Sequence, residues 1–253
     1  MIKIKTADEI QKMRRANRIV AQLFDYLKDY ISEGVSTHQL DTIAREFIAS
    51  KNARPAFLGY TTSGLPPFPN AICTSVNSCI VHGIPRKRTI LKDGDILGID
   101  VGTYLDGYYG DGAKTFKIGH VSQKAHKLMQ ATKYALDIAI ELSRNGNRVG
   151  DISFAIGDYI RKKGYFVADN LTGHGIGSQL HEDPQIPNSG RRGVGQRLQK
   201  GMTIAIEPMV NIGTNRVREN GWECFTNDGT LSAHFEHTVL ITDGKPEILT
   251  VLN

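Results

Sequence analysis

The chain has 253 residues, of which 40% are hydrophobic and 23% are charged. This composition supports one large domain or two small ones and excludes bulk disorder. No apolar run is long enough to span a bilayer, and the first residues lack the apolar region of a secretory signal. The cysteines, Cys73, Cys79 and Cys224, are odd in number and lack CxxC spacing, which favours a reducing cytoplasm over a disulfide framework.

The net charge is +5, and the basic residues fall in short clusters, among them 12–18, 86–88 and 161–163. Such clusters are either a solvated surface or an electrostatic docking patch for RNA or a ribosome. No aromatic-rich RNA motif or zinc finger accompanies them. We therefore expect no DNA or membrane partner, and no nucleic acid as the main substrate.

Two helices are predicted near the N-terminus. Thr6 and Glu9 form a capping box, and apolar residues then recur at helical spacing as far as Ile31. A second capping box, Ser36 with Gln39, begins the next helix.

The remaining elements follow in chain order. Residues 54–75 are rich in proline, glycine and aromatic side chains, which predicts a long loop. Ser122 begins a third helix that is expected to end near 145–146, and a fourth helix runs from about Asp151 to Gly164.

Two pairs of segments resemble each other. Residues 34–36 before the second helix resemble 148–150 before the fourth, and 91–100 matches 198–207. Both members of the second pair contain a polar turn, a buried strand and a final acid. They are either two generic α/β segments or a duplicated unit whose acids meet at a pseudo-twofold axis.

One pair of acids can be placed by a hairpin argument. Asp106-Gly107 is a strong signal for a two-residue turn. If this turn centres the hairpin, Gly102 pairs with Asp111. Asp100 and Asp111 then become diagonal neighbours on one face, roughly 7–8 Å apart at the backbone.

Two further acids and a histidine adjoin other apolar runs. Glu207 ends one predicted strand and Glu236 begins another, and a buried glutamate needs a partner. His174 lies in the segment GHGIG, 173–177, whose glycines allow the backbone to approach a ligand closely. A dinucleotide loop is the rival interpretation, but GHGIG does not complete GxGxxG. Together, four carboxylates and one imidazole predict a site for two metal ions. A pair of bound metal ions can generate a hydroxide nucleophile. Manganese, iron or cobalt suit these donors at least as well as zinc.

At six ordered segments the chain resembles the short, bacterial-type methionine aminopeptidases of type I. These segments are 81–85, 99–102, 110–111, 173–177 with 181–184, 206–208 and 235–238. The resemblance covers essentially the whole length and implies the pita-bread α/β (α+β) fold. In that fold two pseudo-symmetric halves, here about 1–118 and 119–253 of a single catalytic domain 1–253, surround a curved antiparallel sheet with outer helices.

The resemblance also implies roles for particular residues. The implied ligands of two divalent ions (Co, Mn, Fe or Zn) are Asp100, Asp111, His174, Glu207 and Glu236. Asp111 and Glu236 would bridge the ions, and Glu207 would also shuttle a proton. His181 would hydrogen-bond the scissile carbonyl, and His82 would face the scissile amide nitrogen.

A methionine side-chain pocket is implied at Phe57, Tyr60, Phe68, Cys73, Leu180 and Trp222. An apolar aromatic pocket suits a thioether, although each of these residues could also be plain core. The chain departs from the family at three places. Phe57 replaces a frequent cysteine, Leu180 replaces a frequent phenylalanine, and the stretch 61–69 is longer than usual.

Asn77, Cys79 and Ser232 match a family position where a Na⁺ or K⁺ ion bridges loops. The alternative is that the side chains of Asn77 and Ser232 satisfy local backbone groups.

The implied function is removal of the initiator methionine from nascent proteins whose second residue is small, by a cytoplasmic monomer with transient ribosome contact. A proline-directed aminopeptidase of the same fold and a non-catalytic peptide-binding or RNA-binding relative remain the alternatives. The short interval between His181 and Glu207 leaves no room for the helical insertion of the type II methionine enzymes.

Overall fold

The computed structural model describes residues 2–252. The four helices within this range are α1 Ala7–Leu27, α2 Thr37–Ser50, α3 Gln123–Leu142 and α4 Val149–Lys162. In the described part of the chain, no helix combines the length and the apolar character needed to cross a membrane.

The predicted helix starts are confirmed more closely than the helix ends. Thr6 and Ser36 each cap a helix within a complete capping box, and Ser122 caps α3. The prediction that α1 continues to Ile31 is wrong, because the chain turns after Leu27 so that the backbone of residue 34 can donate to residue 91. Likewise α3 ends at Leu142 rather than near 145.

The start of α4 also lies earlier than predicted. The helix begins at Val149, and Asp151 is the third helical residue rather than the first. Its carboxylate accepts the backbone N–H of Arg148, 2.8 Å away, which is one of the two hydrogen bonds of a capping box. The Arg148 side chain makes no capping hydrogen bond.

Among residues 2–252, fifteen strands form four antiparallel sheets. The strands are β1 Arg54–Pro55, β2 Ile72–Val76, β3 Cys79–Val81, β4 Ile96–Leu105, β5 Tyr108–Lys117, β6 Phe166–Val167, β7 Thr172–Gly175, β8 Glu182–Pro187, β9 Thr203–Ile206, β10 Met209–Asn211, β11 Val217–Asn220, β12 Glu223–Thr226, β13 Ser232–His234, β14 His237–Leu240 and β15 Glu247–Ile248. The sheet orders are β1-β4-β2 with β5 beside β4, β13-β10-β6, β11-β12-β3 and β15-β14-β9-β7-β8.

The predicted loop 54–75 is shorter than expected. Arg54–Pro55 pairs with β4, and Ile72 already begins β2, so the irregular segment spans 56–71. The buried residues at the start of β2 are hydrogen-bonded to β4, and this pairing outweighs the proline-rich and glycine-rich composition that precedes it.

Matched contacts favour the duplicated unit over two generic segments. Ser36, the N-cap of α2, forms an isolated bridge with Ile90, and Arg148, the N-cap of α4, forms an isolated bridge with Arg197. The caps therefore match each other, and the predicted match of 34–36 with 148–150 is wrong by two residues, because α4 already begins at Val149. Ile90 and Arg197 each stand ten residues before the final acid of their segment. The polar turns also agree, since the matched glycines 94 and 201 have φ values of 90° and 86°.

Two main hydrophobic cores lie between the helices and the sheets. The first packs α1 and α2 on β2 and β4, and its fully buried members include Val20, Leu23, Leu40, Ile72 and Leu97. The second packs α3 and α4 on β9 and β14, and its fully buried members include Leu128, Ile152, Ile156, Ile204 and Val239. The helices therefore cover the outer faces of the sheets and leave the inner faces to form a site.

Candidate metal centre

The hairpin that carries the first two acids has the predicted register. Asp106 and Gly107 form its turn with φ values of 50° and 88°, as a type I′ turn requires. Gly102 pairs with Asp111, and Asp100 lies two residues further along the same face. The diagonal arrangement of the two aspartates is therefore confirmed.

The two glutamates meet at an interruption between two ladders. β9 pairs with β14 up to Ile206, and β10 pairs with β13 from Met209 onwards, in the same register. The unpaired residues between these ladders consequently face each other, and Glu207 lies opposite Glu236. Pro208 has no N–H to donate to a ladder, which helps to keep this gap open.

Backbone contacts bring the two pairs of acids together. The N–H of Glu236 donates to the carbonyl oxygen of Ala113 at 2.8 Å, and Ala113 is the residue paired with Asp100. The hydroxyl of Thr238 donates to the carbonyl oxygen of Asp111 at 2.8 Å. Strand β14 is thus fastened to β5 beside the acids.

His174 is held at the same place by β7. It pairs with Ala205, two residues before Glu207, so the two side chains share a face. Its Nδ1 lies 2.8 Å from the carbonyl oxygen of Gly175, which points Nε2 at the acids. Nε2 is 3.6 Å from Oε1 of Glu207 and 3.9 Å from Oδ2 of Asp111.

The glycines around His174 serve the backbone rather than a ligand. A Cβ at Gly173 would collide with the carbonyl oxygen of Ala205, and one at Gly175 with that of Asp183. Glycine at these positions lets β7 lie close to both of its neighbours. The backbone does approach a neighbour closely at these glycines, as expected, but the neighbours are the adjacent strands rather than a ligand.

The acids are buried with few partners. Desolvation raises the pKa of Asp100 to about 7, and it raises the pKa of Asp111 and Glu236 well above their usual range, with neighbouring carboxylates adding to the effect. One oxygen of each of these three side chains has no hydrogen-bond partner among residues 2–252. A divalent cation would satisfy these oxygens and offset the repulsion, so the donors fit a metal ion.

Glu207 differs from the other acids because imidazoles surround it. Desolvation alone would raise its pKa, but His234, His174 and His82 outweigh that effect and hold the pKa below its usual value. Glu207 is therefore the acid in this group that is most readily ionised.

Donor atoms within 4.8 Å of one another form two triads that share Glu236. They are Asp111 with His174 and Glu236, and Glu207 with His234 and Glu236. Asp100 belongs to neither triad but lines the same cavity. His234 is the site residue that sequence reasoning missed, although its position two residues before Glu236, on the same face of a strand, could have identified it.

One cavity of about 350 Å³ is lined by every predicted ligand of the divalent ions and every predicted substrate residue. Its lining includes Asp100, Asp111, His174, Glu207, Glu236, His82, His181, Phe57, Tyr60, Phe68, Cys73, Leu180 and Trp222. Thr62 and Leu65 from the long segment 61–69 line it as well, and the indole N–H of Trp222 holds that segment by donating to the carbonyl oxygen of Pro66 at 2.8 Å.

The two predicted substrate histidines both line this cavity beside Glu207. His82 has a positive φ of 58°, and its ring meets Trp222 edge-on, with centroids 6.4 Å apart. Desolvation lowers the pKa of His82. Nδ1 of His181 lies 2.7 Å from the hydroxyl of Tyr60, and desolvation together with the charge of His174 lowers the pKa of His181 to about 4.

The predicted monovalent-cation residues are adjacent but locally bonded. The N–H of Ser232 donates to the carbonyl oxygen of Asn77 at 2.9 Å. The Asn77 amide donates to Asp95 and the Ser232 hydroxyl donates to the carbonyl oxygen of Val210, so both side chains satisfy neighbouring groups. Cys79 lies in the adjoining β3. The cation remains a prediction.

This arrangement of carboxylates and imidazoles defines a metal-dependent hydrolase. The family model described as metallopeptidase family M24 matches residues 11–243, and the chain belongs to that family. It is 46% identical to a methionine aminopeptidase of Clostridium acetobutylicum over 253 residues, which cover 99% of each chain.

Solved structures agree with this placement. The crystal structure of methionine aminopeptidase from Thermotoga maritima is similar with a TM-score of 0.95 and 42% identity, covering 100% of both chains. Prolidase from Pyrococcus furiosus is similar with a TM-score of 0.80 at 22% identity, and the match covers 99% of this chain but 66% of the prolidase. The second likeness shows a shared fold alone.

Proposed function

We propose that this protein is a metal-dependent aminopeptidase that removes the N-terminal methionine of nascent polypeptides. The observation that carries the proposal is the single cavity, in which a buried cluster of carboxylates and imidazoles adjoins an apolar pocket. The names and the high coverage of the methionine aminopeptidase relatives support it.

The proposed metal ligands are Asp100, Asp111, His174, Glu207 and Glu236. We propose that these side chains would hold two divalent ions, of Co, Mn, Fe or Zn, and that Asp111 and Glu236 would contribute to both. Bound ions of this kind lower the pKa of water and supply a nucleophile near neutral pH. The unpartnered oxygens of Asp100, Asp111 and Glu236 support this assignment.

Three side chains of the protein are proposed to transfer the proton and to orient the scissile bond. Glu207 is ionised beside three imidazoles, which suits it to accept a proton and pass it to the leaving amine. His181 is neutral at pH 7, and with Nδ1 directed at Tyr60 its Nε2–H can donate to the scissile carbonyl oxygen. His82 faces the same space and is proposed to contact the scissile amide nitrogen.

The apolar pocket accounts for the choice of methionine. Phe68 contacts the ring of Phe57 edge-on at 6.5 Å and that of Trp222 at 5.5 Å between centroids. Together with Tyr60, Cys73 and Leu180, these rings form an apolar lining whose aromatic edges pack well against a thioether sulfur. A small second residue is proposed because the substrate backbone must pass the crowded metal centre.

Other parts of the proposal concern the whole chain. We propose a cytoplasmic monomer that folds as one catalytic domain, with halves of about 1–118 and 119–253, and a Na⁺ or K⁺ ion near Asn77. Ribosome contact would be weak, because several basic side chains are already paired, such as Arg15 with Asp106 at 2.9 Å. It would also be sensitive to salt, because salt screens interactions between exposed charges.

The test is methionine release from three peptides, Met-Ala-Ser, Met-Ile-Ser and Ala-Pro-Ser, by protein reloaded separately with manganese, iron, cobalt or zinc. We expect cleavage of Met-Ala-Ser and little cleavage of the other two. Cleavage of Ala-Pro-Ser instead would assign the protein to the proline-directed enzymes. No cleavage with any metal, despite bound ions, would favour a non-catalytic peptide-binding relative.

A further inference from the structure

The imidazole of His234 approaches the carboxylates from β13. His234 is 3% exposed, and its Nε2 lies 3.3 Å from Oε2 of Glu207. This approach lacks hydrogen-bond alignment, and Nε2 has no hydrogen-bond partner among residues 2–252. A buried polar nitrogen in this state is costly, and the carboxylate beside it is the partner that a small side-chain rotation supplies.

The backbone of His234 is fixed from both sides. Its N–H donates to the hydroxyl oxygen of Thr115 at 3.0 Å, and that hydroxyl donates to the carbonyl oxygen of His234 at 2.7 Å. On its other side His234 pairs with Met209, two residues after Glu207. The meeting of the imidazole and the carboxylate is therefore set by strand register.

The internal repeat matches His234 to an acid in the first half of the chain. Asp100 and Glu207 end the two matched segments. In the first ladder Asp111 is the diagonal neighbour of Asp100, and in the second His234 is the diagonal neighbour of Glu207. His234 thus occupies the position in the second half that Asp111, a proposed metal ligand, occupies in the first.

The two oxygens of Glu207 face different imidazoles. Oε1 is 3.6 Å from Nε2 of His174, whereas Oε2 is 3.3 Å from Nε2 of His234. We propose that His234 is a positioning residue of the proposed metal centre, whose Nε2–H donates to Oε2 of Glu207 and keeps Oε1 on the side of His174, where these two side chains would hold a divalent ion. The inference rests on the proposed metal-dependent function.

Two variants separate a hydrogen bond from simple packing. His234→Leu fills a similar volume without a donor, whereas His234→Gln offers an amide N–H at a similar reach. Calorimetric titration of metal-free protein with Mn²⁺ is expected to show about 10–100-fold weaker binding for His234→Leu, the usual effect of removing a group that orients a ligand. His234→Gln is expected to restore most of the affinity, and His234→Leu to lower kcat more than it changes KM.

His237→Leu is the matched control. His237 lies three residues after His234, so its side chain points to the opposite face of the strand. Its Nδ1 is 2.7 Å from the hydroxyl of Thr250. We expect this variant to keep wild-type affinity for Mn²⁺ even if its melting temperature falls. The visible absorption of the Co²⁺ form should keep its band positions in His234→Gln, because the proposal leaves the imidazole outside the coordination sphere.

Three results would overturn the inference. They are wild-type Mn²⁺ affinity in His234→Leu, equal weakening in both His234 variants, and shifted Co²⁺ bands in His234→Gln, which would make His234 a direct ligand. The titration does not depend on turnover. A wild-type protein that binds Mn²⁺ but releases no methionine would refute the proposed function and still test His234, whereas one that binds no divalent ion would refute both.

Discussion

A hydrogen bond joins Tyr60 in the pocket wall to the ring of His181. The hydroxyl of Tyr60 lies 2.7 Å from Nδ1, and desolvation raises the pKa of that hydroxyl, so it keeps its proton. We propose that this O–H donates to Nδ1. A neutral imidazole that accepts at Nδ1 carries its hydrogen on Nε2. A hydrogen bond donated by Tyr60 would therefore leave the hydrogen on Nε2 of His181, the nitrogen proposed to donate to the scissile carbonyl.

Tyr60→Phe tests this coupling, because it keeps the ring in the pocket wall and removes the hydroxyl. We expect kcat to fall about 2–10-fold with little change in KM, since one net hydrogen bond contributes about 0.5–1.5 kcal/mol. Steady-state kinetics on Met-Ala-Ser is the measurement, and Tyr159→Phe on α4 is the control. A change confined to KM would mean that Tyr60 only shapes the pocket.

At the scale of elements, signals between residues close in sequence were predictable, and contacts between segments distant in sequence were not. The capping boxes of α1 and α2 and the turn at 106–107 depend on residues close together in sequence, and all three are confirmed. α1 ends at Leu27, and the chain then turns towards a contact between residues 34 and 91 that spacing alone does not reveal. His234 was missed for the same reason, because its approach to Glu207 follows from two ladders that share a register across a gap.

The capping box of α1 gives a prediction about stability. Thr6→Ala removes the side chain that accepts the N–H of Glu9, and we expect the free energy of unfolding to fall by about 1 kcal/mol at pH 7. Urea denaturation is the measurement. Thr42→Ala, at an exposed position inside α2, is the matched control and should be neutral or slightly stabilising.

The same box predicts a pH dependence. Hydrogen bonds from the Thr6 backbone, the Tyr108 hydroxyl and the Thr6 hydroxyl lower the pKa of Glu9 from 4.5 to about 2. The stability that ionised Glu9 contributes is therefore present above pH 4.5 and is lost as the pH falls towards about 2. A difference between wild type and Glu9→Gln that did not change across this range would contradict the assignment.

At the scale of the whole molecule, the proposed metal centre joins segments that are distant in sequence. Asp100 and Asp111 come from the β4–β5 hairpin, whereas His174, Glu207 and Glu236 come from the second half of the chain. Burial of several carboxylates at one point is unfavourable unless a cation accompanies them. Metal binding should therefore stabilise the whole fold, by about 2.7 kcal/mol when the free ion is at 100 times its Kd.

The most direct measurement follows methionine release from Met-Ala-Ser while metal-free protein is titrated with Mn²⁺, with the melting temperature recorded at each step. We predict no release without metal, and release and melting temperature that rise together as ions bind. Asp111→Asn should remain inactive at metal concentrations that saturate the wild type. Metal-free protein that releases methionine at the rate of the loaded protein would contradict the account.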